Sequence, residues 1–278
     1  MPGPTEILVE TRAVGVNPAD WKTRASGGWL GAPPFTLGWE VAGLVAATGP
    51  GVTRFAVGDE VFGMPWFPQE AAAYAQYVTG PARHFASKPP GLTFEEAGGL
   101  ALAGLTALQA LVETAAVLPG QCVLIPAAAG GVGHLAVQLA KLRGAYVIGT
   151  ASAAKHDLVL SLGADEMLDH HTEDYSALKD IDVAVATVPG QIAELAATLR
   201  PEGVVVALNN KDARAVVDVE GVLMLVEPDR AGLDVLAGHA LEGEIRVLVD
   251  RVFPLAEAAA AHESGESGHI SGKLVLRP

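Results

Sequence analysis

The stretch whose residue types and spacing most directly suggest chemistry is Val123-Leu124-Ile125-Pro126-Ala127-Ala128-Ala129-Gly130-Gly131-Val132-Gly133, followed by His134 to Lys141. A buried-type strand passes through a turn of small residues straight into a helix. That layout suits the pyrophosphate of a dinucleotide, because bare backbone N–H groups and the positive end of a helix dipole must reach the phosphates with no Cβ in the way. Gly130 and Gly133 are expected to supply the close approach and the tight helix packing, with Ala128 in the first small position. The strand before and the helix after raise this pattern above a bare glycine-rich turn.

Which dinucleotide fits depends on the end of the next strand, where folds that take NAD usually offer an acid to the ribose hydroxyls. Here Tyr146-Val147-Ile148-Gly149-Thr150 leads into Ala151-Ser152-Ala153-Ala154-Lys155, giving a hydroxyl and a cation in place of the acid. A 2′-phosphate beside Lys155 gains a charge-assisted contact that a carboxylate there would oppose. NADPH is therefore expected over NADH.

These residues must be held by a fold of ample size. The chain has 278 residues, 50% of them hydrophobic and only 18% charged, so apolar burial can offset chain entropy without disulfides or a structural metal. A formal charge of −14 disfavours nucleic acid and anionic membranes as partners, and an anionic cofactor must be captured by local groups. The single cysteine, Cys122, can neither close an internal disulfide nor build a thiolate-rich zinc site. Cytoplasm is the expected compartment, since the first residues show no basic segment followed by an apolar one. Apolar runs such as Ala97 to Leu111 are interrupted by glycine, and no membrane insertion is expected.

From Ile7 to about Leu92 short β-branched stretches (Ile7 to Val9, Val41 to Val45, Glu60 to Phe62) alternate with turn signals, the texture of a barrel-like β domain. After Pro89-Pro90-Gly91, Thr93 and the acids Glu95 and Glu96 read as a helix start, and an Ala/Leu-rich segment runs to Val117. Strand-like runs then recur at Cys122 to Pro126, Ala145 to Thr150, Ile181 to Ala186, Val204 to Leu208 and Val222 to Val226. Their alternation with helical patterns predicts a parallel sheet covered on both faces. Pro254 to Glu257 opens a short helix, and Gly272 to Leu276 closes the chain as a strand.

Seven motifs in order, the Gly130 turn among them, give the chain a family resemblance. They are Gly15-Val16-Asn17-Pro18-Ala19-Asp20, Gly38-Trp39-Glu40-Val41-Ala42-Gly43, Val57 to Gly63, Leu102 to Ala107 with its Gly-Leu-Thr core, the Gly130 turn, Ser161 to Asp165, and the ending Gly272-Lys273-Leu274-Val275-Leu276. With them the sequence resembles the zinc-independent quinone oxidoreductase branch of the medium-chain dehydrogenase/reductase superfamily. The resemblance implies an α/β fold: a Rossmann doubly wound parallel sheet inserted in a GroES-like β-barrel catalytic domain, with the active site in the cleft between them. The expected segments are 1–95 for the first part of the catalytic domain, 96–240 for the NADP-binding domain and 241–278 for the return. Relatives begin with roughly twenty-five to thirty more residues, so the catalytic domain is expected to be N-terminally shortened.

The same resemblance implies a set of site residues. Asn17 is expected to face the nicotinamide and to donate to an acceptor oxygen as it becomes anionic, and Thr106 to bond near the nicotinamide. Gly131, Val132, Ser152 and Lys155 are expected on the phosphate side, with His170 where relatives often carry a tyrosine, and Asn209 and Val226 along the nicotinamide pocket. Trp39, Trp66 and Phe67 are expected to line an apolar cleft, and Glu40 to pair with a nearby cation. No metal is expected: zinc-dependent relatives place a cysteine where Asn17 stands and a histidine where Trp39 stands. The reading that follows is an NADPH-dependent reductase of a quinone or activated enone, forming a homodimer through the edge around Val219 to Val226. A biosynthetic enoyl reductase, or an NADPH-binding protein with weak or no turnover, stands as the alternative.

Overall fold

The protein is described by a computed structural model over residues 1–208, 213–219 and 221–278. It has two compact units: Met1–Leu105 with Glu227–Gly243 and Val247–Pro278, and Thr106–Val226 with Glu244–Arg246.

The first unit opens with β1 (Glu6–Val16), an eleven-residue strand whose side chains alternate between buried and partly exposed before its last four residues become fully buried. Helix α1 (Pro18–Ser26) follows, then β2 (Val41–Thr48), β3 (Glu60–Gly63), β4 (Tyr77–Pro81), β5 (Phe85–Ser87) and helix α2 (Phe94–Leu108). β1 pairs antiparallel with β2 and with β4, and register shifts between Leu8 and Val9 and between Thr11 and Ala13 let it bend.

The second unit carries β6 (Cys122–Ile125), α3 (Gly133–Leu142), β7 (Tyr146–Ala151), α4 (His156–Ser161), β8 (Glu166–Asp169), β9 (Ile181–Ala186), α5 (Ile192–Ala196), β10 (Leu199–Ala207), α6 (Ala213–Asp218) and β11 (Val222–Leu223). Its six strands are all parallel, in the order β11-β10-β9-β6-β7-β8. The chain steps outward from β6 to β8, then returns to β9 on the other side of β6 and steps outward again. The C-terminal end of β6 is thus the topological switch point of a Rossmann sheet, where open α/β sheets bind ligands. The core on one side of this sheet gathers Leu124, Ile181, Ala184, Ile192, Leu195 and Val205.

The chain then adds α7 (Arg230–Leu241), β12 (Val249–Pro254), α8 (Ala258–Glu266) and β13 (Lys273–Arg277) to the first unit. β13 pairs antiparallel with the end of β1 and parallel with β12, completing a seven-stranded sheet in the order β12-β13-β1-β2-β3-β5 with β4 on β1. Its core includes Ile7, Val9, Val14, Val41, Phe85, Leu274 and Leu276. The architecture is a GroES-like domain plus a Rossmann domain, as the sequence implies.

The division between units falls after Leu105 and Val226, where the sequence places boundaries at 95/96 and 240/241. Residues 94–105 of α2 stay with the first unit, where the Leu102 amide donates to Glu40 and Gly104 lies against Leu236 of α7. Arg246 joins the second unit through two backbone bonds with the Gln138 side chain, at 2.7 and 3.0 Å. The strand expected over 222–226 shortens to Val222–Leu223 at the sheet edge, and the one expected from Val204 begins at Leu199. α2 continues through a π-helical segment to Thr114, giving 21 residues long and apolar enough to cross a membrane; 83% of the most apolar window is buried within the fold, which accounts for its composition.

Leu124 is fully buried with β7 and β9 on either side of its strand. Leu124→Ala is expected to remove about 2–5 kcal/mol of stability, read as a lower urea midpoint with an unchanged slope.

Candidate functional site

The turn after β6 has the geometry of an anion cradle. Ala127 adopts a positive φ of 48°, and the Gly130 N–H returns to its carbonyl at 2.8 Å. Ala128 is fully buried and its N–H donates to Thr150 of β7 at 2.9 Å, which stitches the turn to the neighbouring strand. α3 starts at Gly133 with no side-chain cap on Val132. Among the described residues the successive amides of Gly131, Val132 and Gly133 have no acceptor. Three such N–H groups at the positive end of a ten-residue helix are donors left for a ligand. Of the two glycines expected to be essential, Gly133 is the tighter: a Cβ there would lie 2.3 Å from the Ala127 carbonyl oxygen, against 3.1 Å at Gly130.

The neighbouring strand ends bring together the residues expected around a 2′-phosphate. Ala151 of β7 stands in register with Asp169 of β8, so Ser152 and His170 are the next residues on adjacent strands. Lys155 closes the short turn after Ser152, its N–H bonded to the Ser152 carbonyl at 2.9 Å. His170 and His171 are exposed, their rings 4.0 Å apart. Asp169 accepts from the His171 N–H, a bond that holds its carboxyl below the usual range. Asp169, His170 and His171 also form a group of possible metal donors whose ligand atoms lie within 4.8 Å of one another. Val226 is buried just beyond β11, and Asn209 lies outside the described residues. Cys122 is half-buried and its thiol is pushed up to about 11 by burial, so it is an unreactive neutral group at neutral pH.

In the first unit a buried polar cluster surrounds Asn17. The Asn17 amide donates from Nδ2 to Glu40 Oε1 at 2.7 Å, and its Oδ1 accepts from Lys273 Nζ at 2.5 Å. Lys273 also donates to Glu40 Oε1 at 2.7 Å and to the Val16 carbonyl at 3.3 Å, so all three ammonium hydrogens have acceptors. Glu40 Oε2 accepts the Leu102 N–H at 2.7 Å. Asn17, Glu40 and Lys273 are 3%, 0% and 2% exposed, so the ion pair is desolvated and stands by virtue of these bonds. Contact with Lys273 fixes the amide orientation, because only Oδ1 can face an ammonium. Among the described residues the second Nδ2 hydrogen has no acceptor.

Asp20, fully buried, takes the Asn17 N–H at 2.7 Å and the Gly38 N–H at 3.0 Å on separate oxygens. Burial outweighs these donors and the nearby Lys273 charge, pushing its carboxyl up to about 7. Beside Asp20, a line of hydrogen bonds runs from Tyr74 to the surface. Burial first and the Asp20 charge second push the Tyr74 hydroxyl's pKa up; that hydroxyl lies 2.9 Å from His262 Nε2, while Arg24 approaches His262 Nδ1 at 3.1 Å and pairs with Glu266 at 2.8 Å. Arg24 can only donate, so Nδ1 accepts and Nε2 carries the proton toward the Tyr74 oxygen. Burial and the Arg24 charge lower the His262 pKa, in keeping with a neutral ring.

Trp39 is a packed core group rather than a cleft wall: it is 1% exposed, its Nε1 donates to the Gln69 carbonyl at 2.7 Å, and it stands edge-on to Phe67. Phe67 is likewise buried, and Trp66 is half-buried with its indole N–H on the Thr79 carbonyl. Thr106 is buried in the last turn of α2. The expected cation beside Glu40 is Lys273. Sequence reasoning gave no role to Lys273, Asp20, Tyr74 or His262. The Asn17…Asp20 spacing was a readable signal, since a carboxylate three residues into a helix returns to the N-cap amide; the other partners come from distant segments.

The comparisons with known proteins agree with this architecture. Residues 3–127 match the family model "Alcohol dehydrogenase GroES-like domain", and residues 162–276 match "Zinc-binding dehydrogenase". The chain is 31% identical over 300 residues to the chloroplast envelope quinone oxidoreductase homolog of Arabidopsis thaliana, covering all of this chain and 91% of that protein. It is 33% identical over 309 residues to 2-haloacrylate reductase of a Burkholderia species, with 100% and 92% covered. The solved quinone oxidoreductase of Coxiella burnetii superposes with a TM-score of 0.95 at 34% identity, covering all of this chain and 92% of that one. The chain belongs to the medium-chain dehydrogenase/reductase superfamily, in its quinone oxidoreductase branch, and is a medium-chain reductase enzyme.

Two outcomes are expected of the buried cluster. Lys273→Met strands the Glu40 charge and should lower unfolding free energy by about 3–5 kcal/mol; Glu40→Gln added to it should restore part of the loss in a denaturant titration. Asp20 has its folded pKa raised from 3.8 to about 7, so the folded state holds the proton more tightly. Stability is therefore fully present below the unfolded value and declines as pH rises through about 7. The contribution is on the order of 4 kcal/mol. Denaturation midpoints from pH 4 to 8 should show this slope in the native sequence and lose it in Asp20→Asn.

Proposed function

We propose that the chain is a zinc-independent, NADPH-dependent oxidoreductase that reduces a quinone or an activated, electron-poor double bond. The observation that carries this reading is the run of amides at Gly131, Val132 and Gly133 with no acceptor among the described residues, with Ser152 and Lys155 rather than an acid directly after β7. The amides receive the pyrophosphate, aided by the dipole of α3. Ser152 and Lys155 offer a hydroxyl and a cation to the 2′-phosphate, and His170 adds a donor when protonated. Val226 and Asn209 are assigned to the nicotinamide side.

When bound, the reduced nicotinamide supplies a hydride equivalent to the acceptor, and a proton completes the reduction. The protein's part is to bind, orient and polarise. Asn17 is held rigidly by Glu40 and Lys273, and its spare Nδ2 hydrogen is the group available to an acceptor oxygen gaining negative charge. Thr106 is assigned a hydrogen bond near the nicotinamide. The residues around Asn17 do not fit a catalytic zinc: an amide, an indole and a carboxylate already engaged by an ammonium replace the thiolate and imidazole that such a site needs. Similarity to a 2-haloacrylate reductase and to quinone oxidoreductases supports conjugated acceptors as the substrate class. The short edge strand β11 is the surface we assign to a homodimer contact.

Incubation with NADPH and a simple para-quinone should bleach the reduced-nicotinamide absorbance, with NADPH preferred over NADH. Lys155→Ala should weaken NADPH by about tenfold and leave NADH nearly unchanged. Asn17→Ala should lower kcat by about a hundredfold with little effect on cofactor affinity. Equal use of both cofactors, or no affinity for NADPH, would overturn the assignment.

A further inference from the structure

A second concentration of positive charge lies in the first unit, on residues the proposed chemistry does not use. Arg54, Arg83 and Arg230 line one surface pocket of about 410 Å³, together with Thr5 and Thr53. They come from four separated stretches: the residue before β1, the turn between β2 and β3, the connection from β4 to β5, and the first turn of α7. A chain with 18 basic against 32 acidic residues places three guanidinium groups around this one concavity.

The acids near it are already occupied. Asp234 pairs with both Arg54, at 3.1 Å, and Arg230, at 3.3 Å. Asp229 is spent as the cap of α7, accepting from the Ala231 and Gly232 amides, and Glu6 turns back to the Gly3 N–H. Arg83 has no acidic partner among the described residues; its charge is felt by His84, whose pKa is lowered by burial first and by Arg83 second. Asp234 therefore pairs with two of the three guanidinium groups, and Arg83 is left with no acidic partner among the described residues.

Two of the three cations are also pre-positioned. The Arg54 guanidinium lies 5.8 Å from the Phe55 ring centre and is forked onto both Asp234 oxygens, at 3.1 and 3.2 Å. Arg230 is held by Asp234 one helical turn away. In the turn itself the Thr53 and Arg54 amides have no acceptor among the described residues. Planar guanidinium forks, free amides and two hydroxyls together match an anion with several oxygens around one centre. Asp234 fills part of that demand from inside the chain and would compete with such a ligand.

We propose that the pocket bounded by Arg54, Arg83 and Arg230 is a binding site for phosphoryl-type anions, separate from the dinucleotide turn. Isothermal titration of inorganic pyrophosphate into the full chain tests this at low and moderate salt. Arg83→Gln, at an exposed residue with no acidic partner, should weaken the site by about fivefold to tenfold. Asp234→Asn should tighten it, because it removes the competing carboxylate while leaving all three guanidiniums; a salt bridge with no ligand role predicts a lower melting temperature and no gain in binding. Gly131→Asp, which adds negative charge at the dinucleotide turn, should leave this site intact, so failure here is distinguishable from failure of the cofactor assignment. Pyrophosphate binding that is absent, that is unchanged in Arg83→Gln or weaker in Asp234→Asn, or that is surpassed by a dicarboxylate such as glutarate would overturn the proposal.

Discussion

Lys273 is the group on which the first unit turns. Its ammonium is buried, and a desolvated cation is tolerable only where every hydrogen meets an acceptor and an opposite charge lies within contact. Val16, Asn17 and Glu40 supply those acceptors, from the end of β1, the start of α1 and the segment entering β2. Glu40 spends its other oxygen on Leu102 of α2. A strand from the last residues of the chain is thereby locked to elements from its first hundred, 233 and 256 residues away along the sequence. Geometry around Gly15 reinforces the lock: a Cβ there would lie 2.1 Å from Glu40 Oε1 and 2.5 Å from the Gly98 carbonyl oxygen, so only glycine lets the carboxylate sit where it does.

That arrangement also explains why Asn17 is rigid rather than merely present. An isolated asparagine can flip its amide at little cost, but here an ammonium on one side and a carboxylate on the other permit a single orientation. Asp20 extends the order into the backbone, since its two oxygens hold the amides of Asn17 and Gly38 and so fix both segments that carry the cluster. A separate line of hydrogen bonds, from Tyr74 through His262 to Arg24, ends at an exposed ion pair with Glu266.

How much of this could be read beforehand depended on whether the signal was local. The Rossmann strands β6, β7 and β9 were legible because buried parallel strands are continuous apolar runs, and the turn between β6 and α3 because small residues there have no other use. β8 was not: four residues with acids at both ends, at the sheet edge, have no such signature. The long first strand was only partly visible, since its three partners lie far along the chain. Glu40's need for a cation could be stated from its surroundings, but the identity of that cation could not, because Lys273 sits in a closing strand whose pattern reads only as apolar. Trp39 was misjudged for the opposite reason: a large aromatic ring in a motif looks like a recognition element, whereas the fold uses it as core.

Net charge sets the last constraint. At −14 the molecule repels anions at long range, yet this repulsion is screened within about a Debye length, roughly 8 Å at physiological salt. What decides anion capture is thus the inner few ångströms. The two units meet this requirement differently: the turn before α3 presents backbone N–H dipoles and no charge of its own, whereas the pocket of Arg54, Arg83 and Arg230 presents full charges partly balanced by Asp234. Dipoles fixed in the backbone carry no titrating group and no internal competitor, though salt screens them, while guanidinium groups shared with a carboxylate respond to both salt and competing anions. If both proposed sites bind anions, the occupancy of the pocket of Arg54, Arg83 and Arg230 follows its surroundings more than that of the turn before α3.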